Sequence, residues 1–545
     1  MTFSASFECF ELASGQVVTL SEKGVTCVVG ANNSGKSQLL KDLVESVRQG
    51  DGDVGHFGVE AKARPLVAKS RFRLSDLDDD AIAAWLHRNA VGVDGGHPTN
   101  VSLPPGALQV GRDGIAPILQ SAEHGSGLQY LTEAVVRRIP AGGLTSYAEG
   151  TLRTDMAPES LRNWLIRRLM EDGALEREFT QIMNDLFDIP CFVDRVTFPP
   201  RLKAGRIEVE IPPANNISKE YADAVTATRN LDEQGDGMRS FAGLALIVLA
   251  LSPQVLLLDE PETFLHPAQA RAVGRWLSRE AQGRGMQVIV ATHDRDLLVG
   301  LLEGGEAGVE IIRLRRGPDG ASVKKLSTSE LERYRLQPSL RYSTVLQGLF
   351  HQRVVICEGD ADCRFYSAAA DELATSRDIQ SVADNTLFVP SSGDGGIAKL
   401  GALLGDLDVS VSAIVDFDTL ERVHVLKSIV RAFGQEWDDE LESNWTDIQK
   451  HAKGVSDFWT RLKNGGLAGA PAGNASRSVR AFIGALASKG VILVPVGELE
   501  DFHRDVGKGP EWINAALDAD AHLDPVVRQL IEAAVPELAG TVTAR

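Results

Sequence analysis

Hydrophobic positions along the chain follow two rhythms, and the order in which they alternate divides the chain into two regions. Val17 to Val29 alternates and then runs apolar, which predicts a strand feeding Gly30, and Gln38 to Arg48 changes to helical spacing. Leu, Trp, Ile and Met at helical intervals predict helix over Pro158–Phe187, and Cys191–Ile211 reads as a strand pair broken by Pro199-Pro200. Next come a helix over Phe241–Leu251, a strand at Val255–Leu258, a helix over Pro267–Gln282 and a strand at Gln287–Ala291. Gly-Gly and Gly-Pro-Asp-Gly turns within Glu303–Ala321 predict peripheral hairpins, and Thr328–Leu349 a helical connection. A fresh alternation starts at Arg353: strand Val354–Cys357, helix Cys363–Leu373, strand Thr386–Pro390, helix Ile397–Leu404, strand Ser412–Val415. This second βαβ series makes the chain α/β with two domains, 1–345 and 346–545. Residues 50–150, rich in Gly, Pro and Asp, give no assignable pattern.

Length and composition narrow the class. A chain of 545 residues exceeds one ordinary core. No apolar stretch reaches the roughly 18–20 residues that span a bilayer, and no basic start precedes an apolar run, so no membrane or secretory segment is expected. The five cysteines, Cys9, Cys27, Cys191, Cys357 and Cys363, are scattered without a C-x-x-C, which fits a reducing cytoplasm. The formal charge of −19 argues against a surface coated in basic charge but not against a local basic groove.

The first chemistry is at Gly30-Ala31-Asn32-Asn33-Ser34-Gly35-Lys36-Ser37, which fits G-x-x-x-x-G-K-[ST] between a strand and a helix. The backbone N–H groups of Gly30, Asn32, Asn33, Ser34 and Gly35, with the helix N-terminus, would cradle phosphate. Lys36 would reach the β- and γ-phosphates, and Ser37 would ligate Mg²⁺. Downstream, the apolar strand Val255–Leu258 ends in Asp259, placed to hold Mg²⁺, and Glu260, placed to orient or deprotonate the attacking water.

Val255-Leu-Leu-Leu-Asp-Glu-Pro-Glu-Thr-Phe-Leu-His-Pro267 resembles the Walker B and D-loop of ABC-type ATPases, and Val288-Ile-Val-Ala-Thr-His293-Asp294 their switch-histidine strand. The resemblance implies that His293 contacts the γ-phosphate. It also implies that Gln234–Ser240, with Gly235 and Gly237, is a degenerate signature segment capping the nucleotide of an opposite subunit. That makes a homodimer, or a higher homo-oligomer, through the heads the expected assembly. No Q-loop glutamine can be picked. About 220 residues separate Lys36 from Asp259 without sustained heptads, so the long coiled coil of Rad50-like or SMC-like ATPases is not expected. Trp164–Phe187 reads as a short helical insertion, for core packing or for dimerisation.

The second chemistry is a spread set of carboxylates. Val354-Val-Ile-Cys-Glu358-Gly359-Asp360-Ala361-Asp362 places an acid at a strand end, then a glycine turn, then an acid opening a helix. Val411-Ser-Ala-Ile-Val-Asp416-Phe417-Asp418 is a second strand ending in Asp-x-Asp. Strand tips of a parallel sheet share one edge, where such acids suit Mg²⁺ or Mn²⁺ and two-metal phosphodiester chemistry. Asp360 reads as exposed helix-start charge. The set resembles the Toprim domain, with Pro390-Ser-Ser-Gly-Asp-Gly-Gly396 as its intervening turn.

An ABC ATPase followed by Toprim is the order of the overcoming-lysogenisation-defect (OLD) nucleases, and the chain is similar to them over roughly 1–50, 230–300 and 350–510. The resemblance implies that Glu498 or Glu500, in Gly497-Glu-Leu-Glu500, adds a metal-site acid. It implies a transition-state lysine, for which Lys508 is the candidate. It also implies ATP-regulated, metal-dependent DNA cleavage, with anti-phage defence as the setting and a partner protein from a defence operon. The rival reading is a nucleotide-controlled scaffold or switch, in defence or DNA repair, whose Toprim site acts only with a partner. A RecF-like repair ATPase would leave 350–510 without purpose, and no tyrosine nucleophile domain or zinc module marks a topoisomerase or primase.

Overall fold

The computed structural model describes residues 4–48, 65–75, 91–94, 97–103, 108–111, 135–148, 161–197, 199–209, 217–305, 308–317, 320–326, 344–391 and 394–539. The chain divides into two compact units, Met1–Val29 with Asn33–Gln337, and Pro338–Arg545, with which Gly30–Asn32 are grouped.

The first unit opens on an antiparallel sheet of β1 (Ser4–Leu12), β2 (Val17–Thr19) and β4 (Val67–Ser75), in the order β2-β1-β4. The run expected as one strand from Val17 is therefore two, because the polar Ser21-Glu22-Lys23 turn ends β2. The second, β3 (Gly24–Val29), is buried throughout and enters a different sheet. Strands β5 (Val91–Asp94), β6 (His97–Leu103) and β7 (Leu108–Gly111) form a small antiparallel sheet inside the stretch without a sequence pattern. The central sheet has the order β15-β14-β3-β13-β12-β8, with β8 (Val136–Ile139), β12 (Val255–Asp259), β13 (Gln287–Ala291), β14 (Val309–Gly317) and β15 (Gly320–Leu326). Only the β14–β15 pair is antiparallel. The hairpin expected to be peripheral thus lends β14, buried over Val309–Leu314, to the sheet core. Strands β3, β12 and β13 are continuous apolar runs because both faces are covered, as parallel sheets require.

Helix α1 (Lys36–Arg48) follows β3 directly. The expected single helix after Pro158 is two within the described residues, α2 (Leu161–Glu171) and α3 (Gly173–Phe187). Asp172 caps the second, its carboxylate accepting from Ala174 N and Leu175 N at 3.0 and 3.2 Å, and this local competition breaks the run. A short sheet of β9 (Cys191–Val193), β10 (Leu202–Ala204) and β11 (Arg229–Asn230) precedes α4 (Asp236–Leu246), whose end widens into a π turn over Ile247–Leu251. Helices α5 (Pro267–Arg284) and α6 (Arg295–Gly304) pack at very close range, since a Cβ on Gly300 would lie 2.1 Å from the Arg271 carbonyl oxygen. Glu303 joins the same pair by accepting from both Arg271 and Arg275.

The second unit is built on a parallel sheet of order β17-β16-β18-β19: β16 (Arg353–Cys357), β17 (Thr386–Pro390), β18 (Ser410–Val415) and β19 (Val491–Leu493). Helix α7 (Asp360–Ser376) joins the first two strands, and α8 (Asp394–Asp406) leads to the third. Its core gathers Val355, Phe365, Tyr366, Ile414, Ile492, Trp512 and Leu530. Of the turn expected between Pro390 and Gly396, Ser392 and Gly393 lie outside the described residues, as does most of the expected helical connection from Thr328; its end, Thr344–Phe350, is a 3-10 helix. Among the described residues no helix is long and apolar enough to cross a membrane.

Candidate functional site

In the first unit the chemistry lies where parallel strands end. After Val29 the chain turns through Asn33 and Gly35 at positive φ, 63° and 102°, and enters α1 at Lys36. A side chain at Gly35 would be strained by this φ and would meet Leu66 at 3.1 Å. Ser34 Oγ is buried with no hydrogen-bond partner, an orphan donor inside a loop of backbone N–H groups. Lys36 is itself buried, and burial lowers its pKa while the charges of Glu260, Asp259 and Glu262 oppose the shift. A phosphate group fits this arrangement, because it would satisfy the bare hydroxyl and pair with a buried ammonium.

Asp259 ends β12 nearly buried, and its carboxylate accepts from Ser37 Oγ at 2.9 Å. Burial raises its pKa, against the pull of Ser37 and Arg138. Arg138 Nη2 lies 3.7 Å from the other Asp259 oxygen. Glu260 sits at positive φ, 49°, its N–H held by Ala291 O at 2.8 Å, and its Oε1 is 2.9 Å from His293 Nδ1. The two strand tips thus bring Ser37, Asp259, Glu260 and His293 together beside the loop.

Two residues of this cluster were missed in the sequence. Arg138 carried no motif. Glu262 stands in the quoted acidic run but was given no role; its Oε1 accepts from Thr292 Oγ1 at 2.5 Å and from His293 N at 3.4 Å. Its Oε2 is buried with no partner, and burial pushes the carboxyl up to about 7. Strand β8 ends level with β12, Ile139 opposite Leu258, so Pro140-Ala141-Gly142-Gly143 leaves the sheet beside Asp259. That loop contains no glutamine. Gly235 caps α4, with open space at its missing Cβ, whereas Gly237 packs on the Phe264 carbonyl, 2.6 Å from where a Cβ would lie.

In the second unit Glu358 follows β16 and accepts from Asp416 N at 3.1 Å, which ties the tips of β16 and β18. Asp362 is in the first turn of α7, and its Oδ2 accepts from Gly359 N at 3.1 Å. Burial, with the charges of Glu358 and Glu500, pushes Asp362 up to about 6. Asp416 is pushed further, to about 8, by burial and by Glu358, Asp362, Glu498 and Asp418. These six acids therefore form one electrostatic neighbourhood. Asp418 is held by Arg422 at 3.2 Å and Lys463 at 3.6 Å. Lys508 donates to Glu498 and lies 3.8 Å from Glu500. Asp360 pairs with Arg364 on the surface at 2.8 Å.

Among the described residues no three acid, histidine or cysteine side chains are gathered closely enough to hold a cation as they stand. The donor chemistry nonetheless fits a hard divalent ion. Carboxylates driven toward protonation by one another are relieved by a cation and lose their protons to it.

A family model described as "AAA domain, putative AbiEii toxin, Type IV TA system" matches residues 141–300. A second, "Overcoming lysogenization defect protein-like, TOPRIM domain", matches 349–418. The chain has the domain organisation of an OLD-family ATPase–Toprim fusion. An uncharacterised protein of Methanocaldococcus jannaschii is 32% identical to this OLD-type chain over 92 residues, 16% of this chain and 79% of that protein. Among solved structures, an SMC head bound to the C-terminal winged-helix domain of ScpA is similar at TM-score 0.36, with 13% identity, over 61% of this chain and 100% of that one. The SMC head domain of Thermotoga maritima is similar at TM-score 0.30, with 12% identity, over 60% of this chain and 100% of that one.

Proposed function

We propose that this OLD-type fusion is an ATP-regulated, divalent-metal-dependent DNA endonuclease that nicks or cleaves its substrate. The observation that carries the reading is the coupled acid set Glu358, Asp362 and Asp416, two of whose members are held well above the carboxylate range by burial and by one another. Glu358, Asp362, Asp416 and Asp418 would hold Mg²⁺ or Mn²⁺, with Glu498 or Glu500 adding a ligand. The ions would supply water activation and charge neutralisation at the leaving oxygen. Lys508, released from Glu498 and Glu500, offers an ammonium to the developing charge on the phosphodiester.

In the ATPase unit Lys36 and Ser34 receive phosphate, while Ser37 and Asp259 hold the Mg²⁺ that accompanies the nucleotide. Glu260 orients water while His293, in contact with Glu260 Oε1, reports the γ-phosphate. Nucleotide gates access to the acids rather than driving bond cleavage, because phosphodiester hydrolysis is already downhill. Two heads would complete each nucleotide site, so the working form is a homodimer or larger, with DNA as substrate and anti-phage defence as the setting.

One observation supports the second reading, a switch that cuts only with a partner. Asp418, Glu498 and Glu500 are occupied by Arg422, Lys463 and Lys508 rather than gathered as ligands. Supercoiled plasmid incubated with Mg²⁺ or Mn²⁺, with and without ATP, distinguishes the two. Metal-dependent nicking that Glu358→Ala lowers at least 100-fold is the expected result. Absence of cleavage in every lane, with ATP hydrolysis intact, hands the case to the partner-dependent switch.

A further inference from the structure

Tyr366 lies one helical turn beyond Asp362 on α7, so the two residues share a face of the helix. It is wholly buried in the cluster that also holds Cys357 and Ile414, with its ring edge-on to Phe365 at 5.5 Å between centroids. Phenylalanine would fill the same space. The hydroxyl is what needs explaining, because it is buried and has no hydrogen-bond partner. Leaving such a group bare is costly. The charges acting on it are those of Asp362, Cys357, Asp416 and Glu358. An orphan donor therefore feels these carboxylates, and one of them, Asp362, stands a helical turn away on the same face of α7.

We propose that Tyr366 is a positioning residue for the divalent-metal site. Its hydroxyl donates to a carboxylate of the Glu358, Asp362 and Asp416 set once a cation draws those acids together. This rests on the reading of that set as a metal site. Glu358 accepts from the Asp416 amide and Asp362 from the Gly359 amide. With a cation bound, a carboxylate turned toward the ion needs its other oxygen fixed, and the Tyr366 phenol supplies a contact that a phenylalanine could not. Hydrogen-bond partners of metal ligands typically set affinity by 10–100-fold.

The test is Tyr366→Phe in the full chain, with wild type and Glu358→Ala alongside. Mn²⁺ binding is followed by the paramagnetic resonance of the free ion, and the thermal midpoint is measured without metal. The expected result is a metal-free midpoint equal to or above that of wild type, together with a Mn²⁺ dissociation constant raised about tenfold or more. A lower metal-free midpoint would show that the hydroxyl already has a partner and would overturn the proposal. So would an unchanged Mn²⁺ constant in a protein whose wild type binds the ion and whose Glu358→Ala does not. Failure of wild type to bind Mn²⁺, or binding by Glu358→Ala equal to that of wild type, would instead overturn the metal-site reading itself, and the role of Tyr366 with it.

Discussion

Glu262 shows how one residue's surroundings set its charge. Its carboxylate braces the Thr292-His293 peptide through one oxygen and buries the other without a partner, so the proton is favoured up to about 7. The folded state holds this proton between about pH 4.5 and 7, whereas the unfolded chain has already lost it. Stability therefore falls as pH rises through that window, by about 3 kcal/mol at most. Urea titrations at pH 5 and pH 8 should show wild type losing more stability than Glu262→Gln, and equal losses would refute the assignment. Asp416 and Asp362 work in the opposite sense for metal. With carboxyls held up to about 8 and 6, Mn²⁺ must displace protons, so affinity should climb as pH rises from 6 to 9. Calorimetry in buffers of different ionisation enthalpy should detect proton release at pH 7, and its absence would place the ion elsewhere. At this scale the sequence showed the acids at strand tips, because an apolar run ending in Asp or Glu is a local pattern. It could not show Arg138, whose partner Asp259 is brought near only by the sheet.

The elements that hold these residues were most legible where a rhythm is undisturbed. Thr386–Pro390 and Gln287–Ala291 begin and end where the sequence pattern predicts. The rhythm misled where a polar residue competes locally, as at Asp172, and where an apparently outlying hairpin is pulled into the sheet, as with β14. Helix contact is another property absent from any local pattern. Gly274 and Gly300 let α5 and α6 approach until a Cβ on Gly274 would lie 2.5 Å from the Leu297 carbonyl oxygen. Gly300→Ala forces a methyl group against backbone that cannot step aside, and should cost about 2–3 kcal/mol. A lowered thermal midpoint would register it; an unchanged midpoint would mean that the helices separate easily.

On the scale of the whole chain, one largely parallel and one wholly parallel sheet each present chemistry at the carboxyl ends of their parallel strands, and each has its own buried core. The order of the two was readable because each motif series is self-contained, whereas residues 50–150 gave no pattern that could have announced β4 to β8. Separate cores predict separable losses. Lys36→Ala should abolish ATP hydrolysis while leaving Mn²⁺ binding within about twofold of wild type, and Glu358→Ala should do the reverse; hydrolysis and metal binding lost together from either substitution would refute the assignment. Cys27, Cys191, Cys357 and Cys363 are buried, with burial pushing the Cys191 thiol up to about 12 and raising those of Cys27 and Cys357 as well, while Cys9 alone is partly open, on β1. A maleimide dye or spin label thus finds one native attachment point, and the ATPase unit can carry a reporter without a single cysteine being engineered away.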